Sequence, residues 1–246
     1  MAPVLDEERK IGEVVRRMPR DLVDEVLVID DGSRDASAAV CRGQGATVIP
    51  LGATIGVGAA LRAGYAYAVQ EGYDVAVVVA GNNKDAPEDI ANLLDPIADG
   101  RADFVQGSRW LHESRDLGAM PLYRRLATRL HPMLFSWAAR RRVTDSTNGY
   151  RACTTRLLRD PRLDLRGRWL DRYELEPFLF LAACRLGYDV VEVPARKVYP
   201  PKALGQTKMK PVTGWWSILR PVLMVGAGIV RFPPEPTPRE EVPSDE

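Results

Sequence analysis

The sequence is poor in the residues that hold metals and disulfides. It has three cysteines and two histidines in 246 residues, and neither set shows the short spacing of a zinc site. An odd number of widely separated cysteines also predicts no disulfide framework, so we expect a reducing compartment and small buried thiols at Cys41, Cys153 and Cys184. His112 and His131 have no partners at metal-binding spacing and are expected to be surface or packing histidines.

Long hydrophobic runs are absent as well. The most lipid-like stretch, PVLMVGAGIV (221–230), is far shorter than the roughly 20 apolar residues that a spanning helix needs. No basic and then apolar leader begins the chain, so no signal peptide is expected. The formal net charge of +1 provides no global field for nucleic acid. We therefore expect a cytoplasmic protein that does not bind nucleic acid.

Short apolar runs alternate with helical segments over the first 109 residues. The runs are continuous rather than alternating in polarity, which is typical of strands buried on both faces. Strands that alternate with helices at short intervals predict an α/β fold with a mainly parallel central sheet flanked by helices. The predicted strands are DEVLVIDDGS, ATVIPL, DVAVVVA and ADFVQGSR.

A glycine-rich loop, GATIGVGAALRAG (52–64), follows one of these strands and begins a helix. Its spacing does not match a dinucleotide-binding turn, because Leu61 stands where the third glycine belongs and Ala80 replaces the acid that would hold a ribose. The sequence also contains no GxxxxGK[ST] phosphate loop and no GxSxG nucleophile elbow. We interpret Gly56 and Gly58 as allowing a tight turn and close packing of the helix.

Several stretches, in order and in register over most of the chain, resemble the family-2 glycosyltransferases, particularly the dolichol-phosphate (polyprenyl-phosphate) mannose synthase branch. They are APVLDEERKIG (2–12), VIDDGSRD (28–35), GVGAALRAG (56–64), AGNNKDAPEDI (80–90), GSRW (107–110), TDSTNGYRA (144–152) and GYDVVEVPARKVYP (187–200). The resemblance implies the GT-A fold and an inverting hexosyltransferase that moves a sugar from a UDP- or GDP-sugar to a polyprenyl-phosphate or hydroxyl acceptor. The alternative is a catalytically silent nucleotide-sugar-binding protein.

On this resemblance we expect one domain over residues 1–230, with a nucleotide-binding half at 1–109 and an acceptor half at 110–230. The remainder, 231–246, is proline-rich and acidic and is predicted to be a disordered tail. Only two residues precede Pro3, so the first strand of the family is either missing or begins late. We expect one edge of the nucleotide pocket to be incomplete or rebuilt.

The resemblance places the nucleotide at the strand ends of the first half. Asp30 is expected to accept hydrogen bonds from the nucleobase or ribose, whereas Asp31 is expected to cap the following turn. Pro3 and Glu7 match the family's first loop, which lines the base and ribose. The other implied nucleotide-binding residues are Gly56, Arg62 and Asn82.

The loop GNNKDAPED (81–89) departs from the family pattern. Ala80, Asn82 and Lys84 stand where the family has a D-x-D or D-x-Q motif that binds Mg²⁺ or Mn²⁺. Either Asn82 and Asp85 hold a metal weakly, although an amide is a poorer ligand than a carboxylate, or Lys84 neutralises the diphosphate itself. A third interpretation is a surface lysine beside a helix capped by Asp85. We expect activity with weakened dependence on Mg²⁺ or Mn²⁺.

The acceptor half supplies basic groups for phosphate. By family position Arg109, Arg124 and Arg125 face the donor phosphates or a phosphate acceptor. Asp145 is either the general base for a hydroxyl acceptor, which typically contributes about 10²–10⁴-fold, or a turn-initiating side chain. Lys84, Arg124, Arg125 and Asp145 are thus the catalytic candidates. The other acceptor or diphosphate candidates are Arg151, Glu176, Lys202 and Lys208, the two lysines lying in a segment (199–216) that resembles a mobile loop of the family.

The segment WWSILRPVLMVGAGIV (215–230) allows three arrangements. It can lie on a membrane through Trp215, Trp216, Leu219 and Val222, pack on the sheet, or form a homodimer interface. We favour packing, with both tryptophans anchoring a helix rather than touching substrate. The expected partners are a nucleotide sugar and a lipid-phosphate or hydroxyl acceptor, while peripheral contact with the cytoplasmic membrane face stays open.

Overall fold

The computed structural model describes residues 1–111, 120–199, 208–209 and 212–233. His112, Lys202 and residues 234–246 of the predicted tail lie outside the described residues. The described strands are β1 (Ala2–Val4), β2 (Leu27–Asp30), β3 (Thr47–Pro50), β4 (Val75–Val78), β5 (Phe104–Ser108), β6 (Arg151–Thr154) and β7 (Val190–Pro194). The described α-helices are α1 (Glu8–Arg16), α2 (Ser37–Gly43), α3 (Val57–Gln70), α4 (Ile90–Ala98), α5 (Leu122–Ala139), α6 (Thr155–Leu158), α7 (Leu175–Arg185) and α8 (Thr213–Gly226).

The strands form two sheets that meet at Met1. One sheet is parallel, in the order β1-β2-β3, and the other has the order β4-β6-β5-β7. The Met1 amino group donates to the Val77 carbonyl (2.5 Å), and the Met1 carbonyl accepts from the Val79 amide (3.0 Å). These bonds place β1 beside β4 and bring the two sheets edge to edge. The α/β prediction is confirmed.

One strand runs against the parallel direction. β6 is antiparallel to both β4 and β5, whereas β5 and β7 are parallel. Its first residue, Arg151, lies opposite Gln106 near the end of β5. Residues 144–150 therefore remain at the edge where the parallel strands end, and β6 can only enter the sheet from that edge.

The first strand is present and begins at Ala2. It pairs with β2 in parallel register, with Ala2 opposite Val28 and Val4 opposite Asp30. Of the two alternatives for the family's first strand, a late start is the one observed. The end of this strand and the loop after it contribute residues 3–7 to the large cavity described below.

The sheet has a hydrophobic core on each face, as the continuous apolar strands predict. Phe104 and Val105 are consecutive on β5 and fully buried, but belong to different core clusters, since successive strand side chains point to opposite faces. Phe104 stacks on Phe180 of α7 (4.9 Å between centroids), which in turn meets Phe135 of α5 (4.6 Å). β3 is the exception, because it is an edge strand and its Thr47 is exposed.

The scarce residue types are used for packing. Cys41 and Cys153 are buried free thiols and Cys184 is partly buried, in agreement with the sequence prediction. His131 is also buried, with Nδ1 2.7 Å from the Ser146 hydroxyl and Nε2 3.2 Å from the Ile218 carbonyl. Burial lowers its pKa. Among the described helices, none combines the length and apolar character needed to cross a membrane.

Candidate active site

A cavity of about 790 Å³ lies where the parallel strands end. This is the edge at which open α/β sheets bind ligands, because loops from neighbouring strands meet there. The volume is within the range of small-molecule sites. Seven basic side chains and four carboxylates line it: Lys10, Lys84, Arg109, Arg124, Arg172, Lys197 and Lys208, with Asp6, Glu7, Asp31 and Glu176. The excess of positive groups suits an anionic ligand.

The two aspartates at the end of β2 have different surroundings. Asp30 does not line the cavity; its carboxylate accepts from the Ser33 amide (2.9 Å) within its own turn. Asp31 does line it, and its Oδ1 accepts from the amides of Ile55 (2.8 Å) and Gly56 (3.1 Å). The Asp30 contact with base or ribose stays a prediction, whereas Asp31 orders the glycine loop rather than capping the turn that follows it.

The glycine loop packs against the chain that precedes α7. A Cβ at Gly58 would lie 1.9 Å from the Leu170 carbonyl oxygen, and one at Gly56, whose φ is 143°, would lie 2.3 Å from that of Asp171. Only glycine allows these approaches, so the packing interpretation is confirmed. Gly56 also lines the cavity, as do Pro3 and Glu7.

Arg62 lies outside the cavity, against the expectation that it binds nucleotide. Its guanidinium donates to the Leu165 carbonyl (3.2 Å) and to the Asp171 carboxylate. Arg62 therefore fastens the segment before α7 onto α3. Arg62 lies on a side of α3 that meets the chain before α7 and not the cavity. The motif alone does not reveal which side of the helix a residue is on.

Lys84 is a buried cation that faces the cavity. It is only 6% exposed, and among the described residues its ammonium has no hydrogen-bond or ion-pair partner. Burial, reinforced by the nearby charges of Arg124, Lys197 and Lys10, lowers the pKa of Lys84 to about 8. An unpaired buried ammonium is unfavourable until an anion accompanies it. The interpretation of Lys84 as a surface lysine is wrong.

The described residues do not form the metal site predicted from Asn82 and Asp85. The Asp85 carboxylate accepts from Lys197 Nζ (2.5 Å) and the Ala80 amide (2.9 Å), and it does not line the cavity. Lys197 Nζ also donates to Asn148 Oδ1 (2.8 Å). An ammonium therefore occupies the contact that a metal ion would need. Asp85 does not cap a helix either, since α4 follows a short 3₁₀ turn at Pro87–Asp89.

Asn82 is the remaining polar group of this loop. Its side-chain carbonyl oxygen is buried and has no hydrogen-bond partner among the described residues, and the residue lines the cavity. The described part of the chain contains no group of three His, Cys, Asp or Glu side chains arranged to hold a metal. One amide oxygen is a poor site for a hard divalent cation.

Asp145 forms a buried ion pair with Arg109. Its carboxylate accepts from the backbone amide (3.0 Å), Nε (2.7 Å) and Nη2 (2.8 Å) of Arg109, and both side chains are buried. Burial disfavours the charged carboxylate, but the Arg109 guanidinium outweighs it and holds the pKa of Asp145 below its usual value. Asp145 does not line the cavity. Asp145 positions Arg109 in this structure, and its general-base role stays a prediction.

Tyr199 contacts three of the cations that line the cavity. Its hydroxyl accepts from Arg109 Nη1 (3.0 Å), the Lys84 ammonium lies 5.3 Å from its ring centroid, and the Arg124 guanidinium lies 5.6 Å away. A cation over an aromatic face is held without neutralising its charge. The three cations are thus concentrated in one part of the cavity, where Lys84 and Arg124 keep their charge available to an anion, whereas Arg109 is already paired with Asp145.

Two further residues that sequence reasoning missed support this arrangement. Glu192 on β7 accepts from the amides of Thr144 (2.8 Å) and Asp145 (2.9 Å) and so fixes the chain that carries Asp145. Lys197 Nζ donates a hydrogen bond to the Asp85 carboxylate, as described above. A carboxylate and a lysine inside GYDVVEVPARKVYP were the available signals, because a charge within or next to a buried strand requires a partner.

Two of the predicted phosphate-binding arginines lie elsewhere. Arg125 borders a second cavity of about 350 Å³ together with Trp110, Arg129 and Thr144. Arg151 is buried and donates to the carbonyls of Glu176 (2.9 Å) and Asn148 (2.5 Å) without lining the main cavity. Adjacent helix positions point about 100° apart, which separates Arg125 from Arg124. Arg151 belongs to a strand whose neighbours cover it.

Glu176, Lys208 and Trp215 line the main cavity. The Glu176 carboxylate lies 3.4 Å from Arg151 Nη2. Lys208 Nζ contacts the carbonyls of Leu5 and Asp6 and lies 3.5 Å from Glu7, so it touches the first loop. Trp215 was expected only to anchor a helix, but the first turn of α8 brings it to the cavity wall.

Comparisons with known proteins agree with this geometry. The model of the family "Glycosyl transferase family 2" matches residues 2–163. The chain is 30% identical over 200 residues to an undecaprenyl-phosphate mannosyltransferase of Micrococcus luteus, covering 77% of this chain and 78% of the relative. It is 26% identical over 214 residues to a UDP-N-acetylglucosamine–dolichyl-phosphate N-acetylglucosaminyltransferase of Methanococcus voltae, covering 80% and 84%.

A solved structure shares the fold. Glucosyl-3-phosphoglycerate synthase from Mycobacterium tuberculosis, in complex with Mn²⁺, UDP and glucosyl-3-phosphoglycerate, superposes with a TM-score of 0.64 at 20% identity, covering 94% of this chain and 79% of that one. That structure contains Mn²⁺ together with UDP. The chain therefore belongs to glycosyl transferase family 2, and it is a hexosyltransferase with the GT-A fold.

Proposed function

We propose that the protein transfers a hexose from a nucleotide diphosphate sugar to a polyprenyl phosphate, with inversion at the anomeric carbon. The single observation that carries the proposal is the cluster of Lys84, Arg109 and Arg124 around Tyr199, in a cavity at the carboxyl edge of the sheet. The relatives named for undecaprenyl-phosphate and dolichyl-phosphate transfer support the acceptor class.

The donor's two parts match two regions of the cavity. The first loop, with Pro3 and Glu7, and the glycine loop ordered by Asp31 form an uncharged backbone surface beside carboxylates, which suits a nucleoside. The cations around Tyr199 suit the diphosphate, since guanidinium and ammonium groups bind phosphate oxygens through charge-assisted hydrogen bonds. The sugar would then lie between these cations and the α5 and α8 side of the cavity.

The reaction on this proposal is a direct displacement. An oxygen of the acceptor phosphate attacks the anomeric carbon, the bond from that carbon to the diphosphate breaks, and the electron pair leaves with the nucleoside diphosphate. Charge grows on the leaving diphosphate, so fixed cations that stabilise it lower the barrier. A phosphate nucleophile is already an anion and needs no general base, which agrees with a buried, paired Asp145.

We further propose that the leaving diphosphate is neutralised by Lys84, with Arg109 and Arg124, rather than chiefly by a divalent cation. Lys84 stands where the resemblance to the family implies a metal-binding acid, and Lys197 Nζ donates to the Asp85 carboxylate. Arg109 is held by Tyr199 and Asp145, and the Lys84 and Arg124 head groups lie over the Tyr199 ring, in advance of binding. Groups held in place before reaction contribute more than groups that must reorganise.

The test is transfer by the purified full chain. UDP- and GDP-hexoses labelled in the sugar are incubated with a short water-soluble polyprenyl phosphate, and the labelled lipid product is quantified, with the anomeric configuration read by NMR. The matched control is the corresponding polyprenol, which lacks the phosphate. Product from the phosphate and not from the alcohol, with inverted configuration, is the expected result; transfer to the alcohol alone, or retention, would overturn the proposal.

A further inference from the structure

The outer side of α5 is an apolar face without a partner. Among the described residues, fourteen large hydrophobic side chains are exposed, and seven of them lie on this one helix. At 3.6 residues per turn these seven fall within about 120° of its circumference, and that arc contains no polar residue. We call this arc the α5 face: Leu122, Tyr123, Leu126, Leu130, Met133, Leu134 and Trp137.

The opposite side of the same helix already has its partners. Arg124 and Thr128 line the active-site cavity, and Phe135 and Ala138 are fully buried in the core. A surface helix of a protein surrounded by water normally presents polar residues on its outer side. The α5 face instead leaves Leu122 79%, Met133 69% and Leu126 60% exposed. Contiguous exposed apolar surface marks an interaction site.

The apolar surface continues onto α8, which packs beside α5. Trp137 covers Gly226, where an added Cβ would lie 2.0 Å from its ring. Trp216 and Leu223 on α8 are 57% and 37% exposed, and the flanking Val212 and Ile229 are 80% and 72% exposed. Eleven of the fourteen exposed hydrophobics are therefore on or next to these two helices. Of the four residues named from sequence for this surface, Trp216 is exposed, Trp215 and Leu219 are partly buried, and Val222 is fully buried.

The charges beside this surface have one sign. Residues 122–142 contain six arginines and no carboxylate, and α8 contains Arg220 and no carboxylate. Arg125 and Arg129 are exposed on one flank of the α5 face, and Arg140, Arg141 and Arg142 are exposed at its end. An apolar stripe flanked by basic residues is the pattern of helices that lie on anionic lipid. A second copy of the chain would bring arginines against arginines, which opposes self-association.

We infer that the α5 face and the exposed side of α8 dock the protein on the surface of an anionic membrane. This inference rests on the proposed function for its purpose, because the same two helices line the cavity through Arg124, Thr128 and Ile218. Docking on this side would place the cavity wall that α5 and α8 form next to the bilayer, where a polyprenyl phosphate is anchored. The helices lie on the membrane and do not cross it, in agreement with the absence of a spanning helix among the described residues.

The inference is tested by flotation of the full chain with vesicles, independently of activity. Vesicles of phosphatidylcholine alone are compared with vesicles that also contain phosphatidylglycerol. Binding to the anionic vesicles is expected, and the double variant L126E/M133E should weaken it by at least about tenfold, because two side chains no longer enter the apolar layer. The matched control is L22E, at a side chain that is 45% exposed on another part of the surface, which should bind like the parent.

Two further measurements separate the possible failures. R125E/R129E should lose the preference for anionic vesicles. L126E/M133E should turn over the short water-soluble acceptor as fast as the parent does. The same variant should lose most of its turnover of a long-chain acceptor presented in vesicles. No vesicle binding by the parent, equal binding by L126E/M133E, or a dimer in solution that this variant dissociates would each overturn the inference. Vesicle binding without transfer to any polyprenyl phosphate would overturn the proposed acceptor and leave the docking surface intact.

Discussion

Lys84 lies 5.3 Å from the centre of the Tyr199 ring and has no anionic partner among the described residues. The two residues are far apart in the sequence. Backbone pairing brings them together, since the Val198 amide donates to the Lys84 carbonyl (2.9 Å). A buried cation held only by an aromatic face is poised for an anionic ligand, and several predictions depend on this pair.

Replacing Lys84 by methionine should weaken nucleoside diphosphate binding. A hydrogen bond to a charged group contributes about 1.5–3 kcal/mol, so we expect the Kd of UDP or GDP to rise about 10- to 100-fold in calorimetric titrations. The matched control is K10M, because Lys10 also lines the cavity but is already paired with Glu7 (2.9 Å) and partly exposed. K10M should change the Kd by less than about threefold. Equal effects of the two variants would contradict the role of Lys84.

The same lysine predicts a pH dependence of stability. Its folded pKa of about 8 lies below the ordinary value of 10.5, because of burial and the charges of Arg124, Lys197 and Lys10, which Glu7 only partly offsets. The unfolded chain therefore binds more protons between pH 8 and 10.5. Stability of the ligand-free protein should rise with pH across this window by at most about 1.4 kcal/mol per pH unit from this group.

That contribution is measured by urea unfolding at several pH values. K84M should be the more stable protein below pH 8, and the difference from the parent should disappear towards pH 10.5. Nucleoside diphosphate affinity of the parent should fall as pH rises above 8, because the neutral amine no longer attracts phosphate. A pH-independent difference between K84M and the parent would show that Lys84 does not titrate in this range.

Removing divalent cations should leave part of the activity. Lys197 Nζ donates to the Asp85 carboxylate at 2.5 Å, so the loop of residues 80–85 offers no free pair of acidic ligands of the kind that Mg²⁺ or Mn²⁺ prefers. Transferase assays in EDTA, with and without added Mn²⁺, measure this directly. Complete loss of activity in EDTA, restored by Mn²⁺, would contradict the proposed role of Lys84.

Asp145→Asn should destabilise the protein near neutral pH. The change leaves the Arg109 guanidinium buried without its counter-charge, and breaking a buried ion pair costs about 3–5 kcal/mol. Because the folded pKa of Asp145 is depressed, its contribution is present above pH 4 and lost as pH falls further. Urea unfolding of D145N, R109M and the double variant gives the coupling energy. A coupling near zero would contradict the pairing.

Gly58→Ala and Gly43→Ala form a matched pair. At Gly58 the new methyl group would meet the Leu170 and Arg172 carbonyl oxygens at 1.9 and 2.4 Å, so α3 or the chain before α7 must shift. We expect a loss of about 1–3 kcal/mol and weaker donor binding, since Arg172 lines the cavity. At Gly43, on α2, nothing lies within 4 Å, and alanine should stabilise by about 0.5–1 kcal/mol. Thermal unfolding checks both; destabilisation by both would contradict the packing argument.

Local signals were sufficient for much of the architecture. Apolar runs such as DVAVVVA predict buried strands because burial on both faces requires continuous hydrophobicity, and they correspond to β2, β4 and β5. The reversal of β6 was not predictable from its own residues. Strand direction depends on the edge from which the preceding chain returns, and that is a property of the whole fold.

The residues of the candidate site, like the strands, could be predicted only in part from the sequence. Lys84, Arg124 and Glu7 line the cavity as the motifs predict, whereas Arg62 and Arg151 do not. A motif gives the position of a residue along the chain, but the partner that its charge meets is decided by segments far away. Arg62 meets the Asp171 carboxylate and Arg151 meets the Glu176 carbonyl, and neither contact leaves a trace in local sequence.

The sequence by itself determined the order of the elements, the family, and the exchange of metal-binding acids for Asn82 and Lys84, because residue type and local spacing are enough for these. Only the tertiary structure decided that Lys197 is hydrogen-bonded to Asp85, that Asp145 forms an ion pair with Arg109, and that the apolar outer side of α5 is exposed. Burial and pairing are the physical reason. Each depends on how closely segments distant in sequence approach one another, and no local pattern specifies that distance.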